Sequence, residues 1–364
     1  MSNASNEMCT LWYDDSAQQL KIIDQTRLPH DLQIMVIDTL QQACDAIVCM
    51  HVRGAPLIGI TAAFGVHLAL KKDPDTLAQA CDQLAKTRPT AVNLQWALSR
   101  LRDGLVSVPQ HQRADAALEM AKTMLAEDAA ACSAIGDFGL ALLQEIQAAK
   151  QERGGSPVIN VLTHCNAGWL ATGGWGTALA PIYKAHQAGM PVHVWVDETR
   201  PRNQGASLTA WELAHSGVPH TLVVDNAGGH LMQHGMVDVC LVGSDRTTAS
   251  GDVCNKIGTY LKALAAFDNQ VPFYVALPTS TIDFELDDGV RQIPIEQRAG
   301  DEVSHVSGLD DAGVIRKVAI SPPGTSISNF GFDVTPARLV SGLITEKGVF
   351  PATTKGLQDI KSRV

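Results

Sequence analysis

The chain has 364 residues, with 28 Lys and Arg against 38 Asp and Glu, a formal charge of −10. At 45% apolar and 18% charged it is too apolar to be disordered, and a chain of this length buries about three quarters of its unfolded surface, enough for a large core and two domains. The acidic balance excludes a nucleic-acid scaffold, which needs basic surface, but leaves room for a small anion held in a local positive pocket.

Residues 1–15 are polar and acidic and lack the basic-then-apolar order of a secretion signal. None of the eight cysteines forms a C-x-x-C pair, so reduced thiols and a cytoplasmic protein are expected. Short strands are expected at 20–23 and 34–37. The apolar run 55–70 is too short for a comfortable membrane span and reads as a buried helix, so no membrane is expected as a partner. Leu94, Leu98, Leu101 and Leu105 repeat at helical spacing, and 113–150 is rich in Ala, Leu, Met and Glu, all good helix formers. The polar, then glycine-rich stretch 151–156 is the best linker. A mainly helical N-terminal domain over 1–150 is therefore expected, followed by a second domain over 151–364.

That second part alternates. Apolar, β-branched runs at 158–162, 192–196, 221–224, 237–242 and 273–277 are separated by helical stretches at 176–187, 205–215, 227–234 and 255–267. This pattern predicts an α/β fold with a Rossmann-like, doubly wound parallel sheet. The charged, glycine-containing stretch 283–313 reads as a long loop, a kind of segment that usually has a functional or interface role. In such sheets ligands bind at the carboxyl ends of the strands, which selects the loops at 163–168, 197–205, 225–227 and 243–246.

These loops hold the candidates for chemistry. Cys165 sits just past a strand, flanked by His164, Asn166 and Gly168. A cysteine among apolar neighbours is ordinarily a small buried hydrophobe; at a strand end it is a candidate reactive thiol. Cys254, before an expected helix start, is the second candidate. Asp245 is either an ion-pair partner of Arg246, a helix cap, or a general acid whose pKa is set by burial. Residues 251–258, which include Asn255 and Lys256, read as a glycine-containing loop opening a helix, and so as an anion site. Arg53-Gly54-Ala55-Pro56 precedes an apolar helix and is another, with Pro56 suited to the first turn. Arg88 stands in a similar turn. Neither a P-loop nor a G-x-G-x-x-G is present, so nucleotide cofactors are not expected. His230 and His234 share a helix spacing but no H-E-x-x-H, so they read as partly exposed helix residues and no metal site is expected. Trp169 and Trp175 could line an apolar pocket or pack the core.

Six segments occur in one order: Arg53-Gly54-Ala55-Pro56, Arg88-Pro89-Thr90-Ala91-Val92-Asn93-Leu94, Thr163-His164-Cys165-Asn166-Ala167-Gly168, Glu198-Thr199-Arg200-Pro201-Arg202-Asn203-Gln204-Gly205, Gly243-Ser244-Asp245-Arg246 and Asn255-Lys256-Ile257-Gly258-Thr259-Tyr260. Each is weak alone. Together, over about residues 20–350, they resemble the methylthioribose-1-phosphate isomerases of the initiation factor 2B-like superfamily. The resemblance implies an aldose–ketose isomerase that converts 5-methylthioribose 1-phosphate to 5-methylthioribulose 1-phosphate in methionine salvage. It implies a small sugar-phosphate partner, no metal or organic cofactor, and a homodimer. By match, Cys165 and Asp245 are the catalytic pair, and Arg53, Gly54, Ala55, Arg88, Gln204, Asn255 and Lys256 bind substrate, chiefly its phosphate. Such a substrate is locked in its ring by the anomeric phosphate, so an acid must protonate the ring oxygen, a role that suits a buried Asp245. Hydrogen must then pass from C2 to C1, either as a proton carried by Cys165 or as a hydride whose cationic intermediate Cys165 stabilises. Trp169 or Trp175 is the candidate contact for the methylthio group. The alternatives are a ribose-1,5-bisphosphate isomerase, which needs a second phosphate site, and a non-catalytic regulatory subunit, which needs no Cys165–Asp245 pair.

Overall fold

A computed structural model describes residues 8–88 and 91–364. The chain opens with three antiparallel strands, β1 (Leu11–Asp14), β2 (Gln19–Ile23) and β3 (Ile34–Ile37). Five helices follow: α1 (Leu40–Val48), α2 (Ala55–Lys72), α3 (Leu77–Ala85), α4 (Val92–Leu105) and α5 (Arg113–Glu152). A capping box starts α1, with the Thr39 hydroxyl and the Gln42 side chain exchanging hydrogen bonds with each other's backbone. The expected buried helix at 55–70 is α2. It is apolar on every side and buried from Leu57 through Leu70, because strands and helices pack around its whole circumference.

The second half contains β4 (Ile159–Thr163), α6 (Ala180–Gln187), β5 (Val192–Asp197), α7 (Ala210–His215), β6 (His220–Val223), α8 (Ala227–Gln233) and β7 (Val239–Val242). Then come β8 (Arg246–Thr248), β9 (Val253–Lys256), α9 (Thr259–Asp268), β10 (Phe273–Ala276) and β11 (Ile282–Asp283). The chain continues through α10 (Gly289–Gln292), α11 (Asp301–Ser304), β12 (His305–Leu309), β13 (Ile315–Ala319) and β14 (Phe332–Thr335), and ends with β15 (Gly342–Thr345), β16 (Gly348–Phe350) and α12 (Thr354–Lys361).

The main sheet runs β16-β15-β10-β7-β4-β5-β6, parallel throughout except for β16. Its five expected strands are all present, within two residues of where the apolar runs place them. Alternation sorts the side chains between two cores. Val161, Val239 and Leu241 face a layer built from α5, α6 and α7, whereas Leu162, Cys240 and Val242 face α8, α9 and α12. A second sheet, β11-β8-β9-β14, is attached beside the carboxyl end of β7.

Three expectations are corrected. Residues 255 and 256 do not open a helix: they end β9, which is paired on both edges, and the helix begins only after Gly258, whose φ of 101° breaks the strand. The stretch 283–313 is not structureless; it holds two short helices and half of the β12–β13 hairpin, whose exposed strands lack a one-sided apolar pattern. Residues 151 and 152 belong to the last turn of α5 rather than to a linker.

Among the described residues α5 is the helix long and apolar enough to cross a membrane, yet one face of it packs into the cores of the protein. Ala117, Ala121 and Met124 sit in the N-terminal core, and Ile135 and Leu143 sit in the core beneath the main sheet. A single continuous helix thus ties both cores together. Leu143→Ala removes a fully buried side chain from this tie and is expected to cost about 3 kcal/mol, read as a lower urea midpoint at unchanged slope.

Candidate active site

The sheet order is that of a doubly wound fold, in which the chain moves outward from β4 through β5 to β6 and then restarts on the other side at β7. The connections after β4 and β7 therefore part company, and a crevice opens between them. Cys165 follows β4 and Asp245 follows β7, so both stand at this crevice.

Cys165 is 7% exposed and has a φ of 66°, a left-handed conformation that costs a non-glycine residue energy and that the surroundings must enforce. They do so from both sides: its N–H donates to the Thr199 hydroxyl (2.8 Å), and its carbonyl accepts from the Thr209 hydroxyl (2.7 Å). Behind it lies a buried charged cluster. His164 Nδ1 contacts the Asp197 carboxylate (2.8 Å), its Nε2 faces the Ile257 carbonyl (2.8 Å), and the Lys262 ammonium sits 3.1 Å from the same Asp197 oxygen. His164, Asp197 and Asp225 are close enough together to offer three ligand atoms to a metal, but the cation in this cluster is the Lys262 ammonium.

The inner cavity at the crevice is lined by Arg53, Gly54, Ala55, Cys165, Asp245 and Asn255, among others, and has a volume of about 40 Å³. A second lobe of about 30 Å³ shares Ala55 and Asp245 and adds Arg88, Cys254, Ile293 and Phe332. The amino end of α2 brings Gly54 and Ala55 here, with Pro56 in the first helical turn where its missing N–H costs nothing. Gly54 has a φ of 99° and lies so close to the Ala171 carbonyl that a Cβ would collide with it. Only glycine lets this helix end approach the connection that follows β4 so closely.

Three cations act on Asp245. Burial raises its carboxyl above the ordinary carboxylate value, and Lys256, Arg53 and Arg88 oppose that rise while Glu296 adds to it. Burial wins, so the group is shifted toward its protonated form. Lys256 ends β9, 7% exposed; burial pulls its ammonium below the ordinary value against the charges of Cys165 and Asp245, and its Nζ donates to the Gly331 carbonyl (2.8 Å). Arg53 makes a two-pronged contact with Asn166, Nη1 to the side-chain oxygen (2.5 Å) and Nη2 to the carbonyl (2.7 Å). Arg88 pairs with Glu296 (3.1 Å). Residues 89 and 90 of the same segment lie outside those described.

Eight of the nine expected site residues thus meet at the two lobes or act electrostatically on Asp245. Gln204 stands apart, buried in a neighbouring cavity of about 530 Å³ that Arg53 also lines. The anion site expected from a helix start at 255 is corrected: the amino end of α9 is already taken by the Asp333 carboxylate, which accepts from the N–H groups of Gly258 (2.7 Å) and Tyr260 (3.1 Å). Arg246 pairs with Asp283 (3.7 Å). Cys254 is a strand residue whose thiol burial pushes up, so it lacks the character of a reactive thiolate. Trp169 packs against Trp211 and Trp175 lies under Lys184; neither lines either lobe. Sequence reasoning missed Thr199 and Glu296, in connecting segments, and Thr209, in the helical turn that leads into α7; each is a single side chain with no spacing signal of its own.

A family profile described as the initiation factor 2 subunit family matches residues 51–352. Methylthioribose-1-phosphate isomerase from Rhodospirillum rubrum is 59% identical over 351 residues, covering 96% of this chain and 90% of that protein. The chain belongs to the methylthioribose-1-phosphate isomerase family. Among solved structures, 5-methylthioribose 1-phosphate isomerase from Pyrococcus horikoshii OT3 superposes with a TM-score of 0.84 at 34% identity, covering all of both chains. The subunit of translation initiation factor eIF-2B called delta, from A. fulgidus, superposes with a TM-score of 0.78 at 35% identity, over 96% of this chain and 99% of that one. The family's fold is thus this mixed α/β arrangement.

The electrostatics of Asp245 give a direct test. A carbon-13 titration of its carboxyl is expected to show a midpoint above the ordinary value of about 3.9, moving higher still in Arg53→Ala, where an opposing cation is gone. Because the folded protein holds this proton more tightly than the unfolded chain, the group favours folding at acid pH, and the contribution fades as pH rises through its folded value.

Proposed function

We propose that the chain isomerises 5-methylthioribose 1-phosphate to 5-methylthioribulose 1-phosphate, a step of methionine salvage, with Cys165 and Asp245 as its catalytic pair. The observation that carries this reading is the convergence of Arg53, Arg88 and Lys256 on one carboxyl that burial raises, beside a buried thiol. The two arginines come from the helical half (1–150) and the lysine from the Rossmann-like half (151–364), so a phosphate between them is clamped from both sides. A clamp of this kind supplies orientation, a large part of catalysis. Gly54 and Ala55 add the positive end of α2, and Asn255 lines the same cavity. Gln204 serves the substrate from the adjoining cavity.

Asp245 donates its proton to the ring oxygen as the C1–O bond breaks. Hydrogen moves from C2 to C1, and the proton of the C2 hydroxyl returns to Asp245 as the ketone forms. Cys165 stands at the C1–C2 edge. A substrate deuterated at C2 separates the two routes: label lost to water marks a proton carried by the thiolate, and label kept at C1 marks a hydride. The two lobes together hold little more than water, so substrate enters when the halves separate, and their closure around it excludes solvent.

The enzyme acts in the cytoplasm as a homodimer, which would cover exposed apolar side chains such as Phe267 and Leu261; light scattering at twice the chain mass checks this. The regulatory-subunit reading has no use for a strained cysteine facing a shifted carboxyl.

Phosphorus NMR with methylthioribose 1-phosphate and no added cofactor is expected to show conversion. Cys165→Ser and Asp245→Asn are expected to keep the wild-type circular dichroism and lose at least about a hundredfold in turnover. Lys256→Ala is expected to raise KM about tenfold or more with a smaller effect on kcat. Near-normal turnover in either of the first two variants rejects the assignment.

A further inference from the structure

Glu212, in α7, is fully buried and lines neither lobe of the site nor the cavity beside it. Its carboxylate nevertheless collects four hydrogen bonds. One oxygen accepts from Asn166 Nδ2 (2.7 Å) and the Leu170 N–H (3.2 Å); the other accepts from the Trp169 N–H (2.9 Å) and the Tyr183 hydroxyl (2.8 Å). Three of these donors belong to the loop that begins with Cys165. Gly168, in the same loop, lies against the carboxylate with no space for a Cβ.

The consequence falls on Asn166. Its amide nitrogen is committed to Glu212 and to the Thr209 hydroxyl (3.2 Å), so its oxygen must point the other way, at Arg53. We propose that Glu212 is a positioning residue for Arg53: by accepting from Asn166 it fixes the orientation of that amide, whose oxygen aims the guanidinium into the site. The inference rests on the sugar-phosphate reading above, since Arg53 is there the anion-binding group. All four partners of Glu212 offer it hydrogens, and an uncharged amide in its place sets an NH₂ against at least one of them. If that one is Asn166, its amide turns over and presents donors to the guanidinium.

The test is steady-state kinetics with methylthioribose 1-phosphate. Glu212→Gln is expected to raise KM about tenfold or more while changing kcat less than about threefold, the mark of lost binding rather than lost chemistry. Adding Asn166→Asp supplies a carboxylate that accepts both from the new amide and from Arg53, and is expected to recover most of the lost KM; a purely structural role for Glu212 predicts no such rescue. An unmoved KM in folded Glu212→Gln overturns the proposal. If that variant does not fold, the double variant decides: folded with a near-wild-type KM supports positioning, folded with a KM as high as that of Arg53→Ala overturns it, and failure of both to fold makes Glu212 a structural strut and overturns it too. Wild-type protein without turnover sinks the functional reading itself, whereas wild-type turnover with an unmoved KM in Glu212→Gln sinks only this inference.

Discussion

Because the chain leaves β4 toward one edge of the sheet and resumes at β7 toward the other, the loops that follow these two strands cannot cover one another. Everything chemical in the molecule depends on that gap. Cys165 and Asp245 are 80 positions apart in sequence, yet each is the second or third residue beyond a strand end, and the two strands are neighbours through Val161–Val239 and Leu162–Cys240. The parallel pairing sets their separation before any side chain contributes. The helical half then closes the crevice with the amino end of α2, an approach that only a glycine at position 54 permits.

A crevice of this kind is costly to furnish with charge. Taking a carboxylate or an ammonium out of water is expensive unless a partner goes with it, and here the partners are arranged in layers. Asp197 lies against His164 and Lys262 behind the thiol, Glu212 collects four donors beneath the loop, and Glu296 meets Arg88 at the outer lobe. Glu212 shows the balance of forces plainly: burial pushes its carboxyl up to about 7 against four hydrogen bonds that favour the charged form. The formal charge of −10 has no bearing on any of this. What matters is that the few cations facing the cavity come from three separate segments.

The sheet was legible because buried parallel strands are short apolar runs, and the strand-end rule then selected the loops after β4 and β7 that line the crevice. The residues that failed to announce themselves did so for definite reasons. Val253-Cys254-Asn255-Lys256 lies between glycines and ends in a lysine, the composition of a helix start, and only its pairing with β8 and β14 makes it a strand. In the β12–β13 hairpin β13 is exposed along its whole length and β12 is only half-buried, so there is no buried alternation to read. Glu212 and Glu296 are isolated carboxylates in a helix and a loop, and nothing near them in sequence distinguishes them from surface charge. Trp169 and Trp175 flank a glycine pair, but large rings bury more area against the core than at a small cavity: Trp169 lies in the core and Trp175 packs, partly buried, against it.

The proposed roles set two demands against each other, for cations placed to hold a phosphate also pull the proton off the carboxyl that is to donate it. Arg53, Arg88 and Lys256 each favour the charged form of Asp245. On the reading proposed above, substrate resolves the conflict itself. A bound phosphate places negative charge among the same three cations, cancels much of their field at Asp245, and adds its own repulsion to the carboxylate. Both effects raise the proton affinity of the carboxyl. In a cavity closed to solvent, where charges are poorly screened, the shift is larger than in water. Phosphate binding and protonation of Asp245 thus favour each other, so on that reading the group the site binds also strengthens the hold of its acid on the proton.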